Sequence, residues 1–308
     1  MRNFLLATLV ILLAALDMLA GGGGIGVASG VVLLKLRLPR VLTALLAGSA
    51  LSLSGMQMQA IFRNPLSDPH IMGVSAGAGL GAAVAVVATA GAGILTHSLA
   101  LSGAAFAGAV VVSVLILLIA QRVSAPTSLL IAGVMLGFVF SAVSAILQYT
   151  ANEESLKLYY SWAAGSFEGS RYGEILVMAV ATLAGVLLTL ANGRGLDLIL
   201  FGEDFAALSG ANVRGIRLRA MASTCLMTGV VTAFCGPIGF VGIIAPHIAR
   251  RLRGSSSHRR ILPMVLLTGS GIALAADILS RVWPIPIPVG STMALVGIPV
   301  ILLILLRK

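Results

Sequence analysis

FGEDFAALSGANVRGIRLR, residues 201–219, is a polar and charged island in a chain whose surroundings are greasy. An acidic pair, Glu203 and Asp204, leads into a short helical patch at 205–208. Gly210 follows, and then a basic run of Arg214, Arg217 and Arg219. On both sides the sequence returns to long apolar runs. A membrane protein that keeps one compact, helical, mixed-charge loop between its spans presents that loop to a soluble partner. The island therefore sets two expectations: a polytopic helical membrane fold, and a permease driven from outside its own chain.

Composition supports the first expectation. The 308 residues are 58% hydrophobic and 10% charged, with a mean hydropathy of +1.07, whereas soluble domains carry roughly 25% charged residues. A spanning helix needs about 20 mostly apolar residues, and such runs repeat along the whole length. The polar stretches are too short to hold a core of their own, so residues 1–308 read as one all-α transmembrane domain. About ten spans are expected, at 4–20, 41–62, 71–91, 99–120, 127–150, 174–191, 220–235, 237–248, 262–279 and 289–306. The eighth is too short to cross straight unless Gly236 and Pro237 break it from the seventh. Broken backbone at membrane depth survives only where protein or a watery cavity surrounds it. The first span lacks a clear small-residue cleavage site and is followed by more spans, which predicts a retained helix rather than a removed signal peptide. Crowded glycines at 48, 55, 73, 77, 79 and 81 match the small-xxx-small pattern of close helix packing.

The net charge of +10 could point to nucleic acid, but the basic residues sit in short loops between spans. With ten crossings and a cytoplasmic N-terminus, only Lys35, Arg37, Arg40, Lys157, Arg171 and Arg281 of the twenty Lys and Arg residues fall outside. The excess within follows the positive-inside bias. Both termini and residues 201–219 are then cytoplasmic, and the coupling loop is expected over about 193–219. Among the outer cations, Arg37 and Arg40 flank Pro39, and Arg281 precedes Pro284, Pro286 and Pro288. They suit interfacial snorkelling or an outward basic patch that docks an acidic partner.

Some chemistry is missing. A P-loop needs Gly-Lys-Ser/Thr, and none of Lys35, Lys157 and Lys308 follows a glycine. ATP hydrolysis is not expected in this chain. Proton or sodium coupling leaves ionisable residues in spans; Asp17 and Asp277 are the candidates, and Asp277 could instead pair with Arg281 at i,i+4. His247 lies at the inner surface, and His70, His97 and His258 read as solvated loop residues, so neither an intramembrane protease nor a metal site is expected. Cys225 and Cys235, about 15 Å apart by helical rise, read as small buried hydrophobes.

Five segments carry a resemblance: LRLPR at 36–40, SGMQMQAIFRNPLSDPHIMGVSAGAGLGA at 54–82, GEDFAALSGANVRGIR at 202–217, CGPIGFVGIIAPHIARRL at 235–252 and IPVGSTMALVGIPVILLIL at 287–305. In order and in register, they make the chain resemble the FecCD family, the membrane subunits of ABC importers for iron-siderophores, haem and cobalamin. The resemblance implies a ten-helix permease of the type II importer architecture in the inner membrane. It works as a homodimer among membrane lipids, with its pathway on the dimer axis. It also implies two cytoplasmic ATPase subunits, which hold ATP and Mg, and a periplasmic or lipid-anchored binding protein. Gly202, Glu203, Asp204, Ala207, Leu208 and Gly210 match the element that couples to the ATPase, and Arg37, Arg40 and Arg281 match the docking arginines. Ser54, Gly55, Asn64, Pro65, Gly73, Ser75, Gly236, Pro237 and Gly239 are the candidates for the pathway and its hinges. No resident metal or cofactor is implied in this chain. Siderophore, haem and cobalamin stay open as cargo, with an iron complex the commoner case. A proton-driven carrier relying on Asp17 or Asp277 and a purely structural membrane protein are the competing classes.

Overall fold

The computed structural model describes residues 2–21, 24–25, 29–89, 94–123, 125–283 and 285–306, and within these the side chains of all but residues 21, 24, 25, 94–98, 304 and 305. The crossing segments are helical because lipid offers no partner to a free amide or carbonyl. Helix α1 (Arg2–Leu19) runs into a minimal antiparallel pairing of Ala20–Gly21 with Gly24–Ile25. The three-residue α2 (Gly30–Val32) passes through a π-helical turn (Leu33–Arg37) into α3 (Leu38–Ile61). A 3-10 turn (Pro69–Met72) introduces α4 (Val74–Ala88). Then come α5 (Ile94–Arg122), α6 (Pro126–Thr150), the short α7 (Glu153–Ala163) and α8 (Tyr172–Ile199). The six-residue α9 (Glu203–Leu208) precedes α10 (Val213–Cys235), α11 (Val241–Arg253), α12 (His258–Arg281) and α13 (Val289–Leu306).

Each expected span has its helix. By length and apolarity α1, α5, α6, α8, α10 and α12 can cross a membrane, while α4 and α13 are shorter apolar helices. The break after the seventh span is present: α10 stops at Cys235 and α11 starts at Val241. At 13 residues α11 is about 20 Å long, less than the hydrocarbon core of about 30 Å. The predicted ends are less accurate. Helix α5 begins five residues before residue 99 and takes in His97, whose side chain lies outside the described residues, as do positions 90–91, Pro284, Arg307 and Lys308. Helix α8 continues to Ile199 and α10 begins at Val213, so the expected loop over 193–219 shrinks to residues 200–212. Hydropathy marks where lipid ends, whereas caps mark where helices end; the Asn212 side chain accepts the Gly215 amide at 2.8 Å and starts α10 early.

Helix α3 is the axis of the bundle. Of its 24 residues 18 are buried, with α8, α10, α11 and α12 packed round it. A helix wrapped in protein rather than lipid can carry Thr43, Ser52, Ser54, Gln57 and Gln59 in its interior positions. The closest crossings are glycine on backbone. A Cβ on Gly48 would sit 2.3 Å from the Gly269 carbonyl oxygen of α12, and one on Gly77 would sit 2.6 Å from that of Gly108 on α5. The glycine clusters therefore act as expected, as contact points where backbones approach. Cys225 and Cys235 are buried and free.

Candidate functional site

The polar island folds into α9, bracketed by Gly202 and Gly210, both at positive φ (120° and 79°), a conformation glycine adopts without strain. The helix is braced from below. The Glu203 carboxylate accepts two bonds from Nη2 of Arg217, each 2.7 Å, and Nη1 of Arg217 donates to the Val123 carbonyl just beyond α5 at 3.0 Å. Ala206 is fully buried beneath it. The other side is open: Phe201, Phe205 and Leu208 are 77%, 50% and 90% exposed, and the two phenyl rings stand 5.6 Å apart. Asp204 and Ala207 share that exposed side. Of the expected coupling residues, Glu203 braces the helix through Arg217. Arg217, expected in a polar loop, is buried in the second turn of α10. What the sequence reading missed is that aromatic residues form the exposed knob, a surface suited to a pocket on another protein.

A second strut lies beside it. Asp197, in the last turn of α8, accepts the His258 amide (2.8 Å), His258 Nδ1 (2.6 Å) and the Ser257 hydroxyl (3.0 Å), capping α12 from another helix. His258 is 2% exposed. This corrects the expectation of a solvated loop histidine: a carboxylate one helix away draws it inside.

The broken span is the second element. Gly236 has φ 71°, and a Cβ there would lie 2.1 Å from the Trp162 carbonyl oxygen. Phe240 also sits at φ 71°, a strained value for an aromatic residue. The freed backbone groups find partners: the Cys235 carbonyl accepts from Ser166 N at 2.8 Å, and Ile238 O lies 2.9 Å from His70 Nε2. His70 Nδ1 also contacts the Ser75 hydroxyl, which reaches Thr232 at 3.4 Å. His70 is therefore part of the break rather than a solvated loop residue. A cavity of about 520 Å³ opens here, lined by Leu66, His70, Ser75, Pro237, Gly239 and Phe240 among others. The structure thus brings together Ser75, Pro237 and Gly239, with Gly236 at the break. Gly73 lies at the left-handed end of the 3-10 turn, and Asn64 and Pro65 occupy the exposed turn after α3. Ser54 and Gly55 do not belong with them. Both are buried in the middle of α3, as is Ser52, so they line no pathway at the edge of the subunit. Gly55, with no side chain, lets α3 approach Gly242 of α11, and the Ser52 hydroxyl donates to the Val265 carbonyl of α12 at 3.1 Å.

The opposite face carries a buried charge cluster. Arg281 of α12 contacts Asp17 of α1, donates to Asp277 Oδ2 at 2.8 Å and to the Ala20 carbonyl at 2.8 Å. Arg40 of α3 grips both oxygens of Asp277, at 2.8–3.0 Å, and reaches Glu168 Oε2 at 2.9 Å. Asp17 and Asp277 have no exposed side-chain surface, Arg281 has 7%, Arg40 12% and Glu168 76%. The i,i+4 pairing of Asp277 with Arg281 is present. Arg281 is largely buried, held by two carboxylates and a carbonyl, yet it lines the same cavity as Arg37 and Arg40. Arg37 donates to the Met18 carbonyl at 2.8 Å. A basic cavity of about 620 Å³ lies above, lined by Lys35, Arg37, Arg40, Arg171 and Glu168 among others. The lone Asp17 and Arg281 at the same end of two spans were the available sign, since opposite charges stranded in apolar helices pair.

These three elements stand in a chain with known relatives. The model of the FecCD transport family matches residues 5–307. The hemin transport system permease protein HmuU of Yersinia pestis is 34% identical over 278 residues, 89% of this chain and 83% of that protein. The vitamin B12 import system permease protein BtuC of Salmonella typhimurium is 35% identical over 306 residues, 99% and 92% of the two chains. A solved chain described as a metal-chelate type ABC transporter in an inward-facing conformation superposes with a TM-score of 0.86 at 30% identity, covering 100% of this chain and 99% of its own. A braced helix that presents aromatic side chains, a span broken over a cavity and a bundle of apolar crossings are what a transporter's membrane subunit needs, and the chain belongs to the FecCD transport family of ABC importer permeases.

Proposed function

We propose that this permease moves an iron chelate, a siderophore complex or haem, across the inner membrane. In this reading it works as a homodimer with two cytoplasmic ATPase subunits and an external binding protein. The observation that carries the reading is α9: an apolar knob with Phe201, Phe205 and Leu208 outward, fixed by the Glu203–Arg217 pair. A knob fixed this way passes a displacement to α10 and α5 rather than absorbing it. The partner ATPase binds ATP and Mg, and its closure drives α9; this chain supplies the lever and the path. Alternating access then opens the dimer axis to one side at a time. Both termini and α9 lie on the cytoplasmic side, in keeping with the positive-inside distribution.

Anchors of this kind each contribute about 2 kcal/mol or more to an interface. Phe205→Asp with Leu208→Asp should therefore weaken ATPase capture on the order of a thousandfold, while the permease still assembles in the membrane. Co-purification from detergent reads the outcome; retention of the ATPase by the double variant would remove α9 from the interface.

The binding protein docks on the face of Lys35, Arg37, Arg40 and Arg171, where Glu168 is the exposed counter-charge. Steering by such a rim is screened by salt. Lys35→Glu with Arg171→Glu should slow capture of the binding protein and flatten its dependence on ionic strength. Stopped-flow association at low and high salt checks this, and unchanged kinetics would place docking elsewhere. Cobalamin is the second reading, favoured by the vitamin B12 permeases, whose match extends over 99% of this chain. Uptake of haem, a ferric siderophore and cobalamin into proteoliposomes holding the full complex separates the two, and ATP-independent uptake driven by an ion gradient would overturn the importer reading altogether.

A further inference from the structure

Pro246 lies inside α11. It has no N–H, so the carbonyl of Gly242, four residues back, lacks its donor in the helical ladder. Gly242 is buried, and a buried carbonyl needs a donor from elsewhere. Gln59 of α3, 3% exposed, supplies one: its Nε2 donates to Gly242 O at 3.1 Å and to Ile243 O at 3.3 Å. The other end of the amide is also held. Nη2 of Arg250, one turn beyond Pro246 on the same helix, donates to Gln59 Oε1 at 2.7 Å. An amide has one acceptor and one donor end, so the guanidinium fixes which end faces the carbonyls. Gln59 therefore grips α11 on both sides of its proline. It can reach because Gly55, one turn earlier on the same face of α3, has no side chain: a Cβ there would lie 2.0 Å from Gly242 O.

We infer that Gln59 is a positioning residue for transport, which with Arg250 sets the bend of α11 at Pro246. The inference rests on the permease reading above. Phe240 caps the start of helix α11, and Phe240 and Ile243 line the cavity at the broken span. Its far end carries Arg250, Arg251 and Arg253 and leads through residues 254–257 into the Asp197-capped start of α12. The bend therefore sets how a movement of that basic face reaches the cavity. Freed from Gln59, α11 can relax its angle without unfolding, and the movement is lost before it arrives.

The test uses the complex of permease, ATPase and binding protein in proteoliposomes, with uptake of a ferric siderophore, haem and cobalamin and ATP hydrolysis measured together. Gln59→Leu leaves a buried carbonyl without a donor, so uptake of the transported chelate should fall about tenfold while ATP hydrolysis persists. Adding Pro246→Ala returns an N–H to Gly242 O and should restore uptake. Gln59→Glu keeps an acceptor for Arg250 but has no donor, so it should behave as Gln59→Leu does and be rescued in the same way. Thermal unfolding of the permease alone supplies a readout independent of transport: the loss on Gln59→Leu should shrink in the Pro246→Ala background. Unchanged uptake in Gln59→Leu, or a melting loss that is the same in both backgrounds, overturns the assignment. A wild-type complex that takes up none of the chelates, with the melting cycle behaving as stated, counts against the permease reading and not against the clamp.

Discussion

Arg281→Met is expected to leave little or no folded permease in the membrane, whereas Arg281→Met combined with Asp17→Asn recovers most of it. Asp17 has no exposed side-chain surface, and Arg281 is its ion-pair partner among the described residues. Removing one member of a buried pair costs about 3–5 kcal/mol, because the other is left charged and unsolvated; removing both is often neutral. That loss is of the same order as the whole stability of a domain, about 5–15 kcal/mol. The cluster also predicts an asymmetry. After Asp17→Asn, Arg281 keeps Asp277 and the Ala20 carbonyl, so this change should be the milder of the two single variants. Asp277→Asn should be severe, since both Arg40 and Arg281 lean on that carboxylate. Fluorescence-detected size exclusion after graded heating ranks all four variants. A chain with Arg281→Met that melts like the wild type would show that α1 is not held to α12 by charge. The same cluster bears on the carrier alternative: Asp17 and Asp277, the two candidates for ion coupling, are each engaged by an arginine.

The order of the helices and the position of the break could be read from the sequence, because both follow from one-dimensional properties. Apolar run length sets a crossing, and Gly236–Pro237 after an apolar run ends one. The position of α9 was legible for the same reason, as a compact mixed-charge island between apolar runs. The reading failed where two distant segments define a residue's surroundings. The bracing role of Glu203 was not legible, because Arg217 approaches from the next helix. Ser54 and Gly55 were taken for pathway residues, because a polar or small residue in a span suits a channel wall and a crowded helix crossing equally well. Only the placement of α3 at the centre of the bundle decides between them. His258 and His70 were taken for solvated residues since polar loops surround them in sequence, but Asp197 and the Ile238 carbonyl meet them in space. That Arg281 is mostly buried was not legible either, for want of Asp17, 264 residues away.

Gly55→Ala tests the central crossing directly and should be among the most damaging single-methyl changes in the chain. Within an isolated helix the substitution stabilises by about 0.5–1 kcal/mol, since alanine loses less backbone freedom than glycine. Here the sign reverses. The three atoms nearest the added Cβ are the Gly242 carbonyl oxygen, carbonyl carbon and Cα, at 2.0, 2.4 and 2.5 Å. All three are backbone, so no side chain can turn aside, and α3 and α11 must separate. Overpacking typically costs about 1–3 kcal/mol and more when nothing yields; a rigid backbone contact belongs at or above the upper end. Separation also stretches the Gln59–Gly242 bond beyond hydrogen-bonding range from its present 3.1 Å, and the stability and the bend of α11 are then lost together. Two controls fix the interpretation. Gly242→Ala meets the Pro69 ring at 2.7 Å and the Leu51 carbonyl oxygen at 3.2 Å, so it should cost less than Gly55→Ala. Gly271→Ala finds only the methyl tips of Val10 and Leu13, at 3.5 and 3.9 Å, and should be neutral or slightly stabilising. Melting of the three variants should follow that order, and a Gly55→Ala chain as stable as Gly271→Ala would mean that the two helices do not meet at this point.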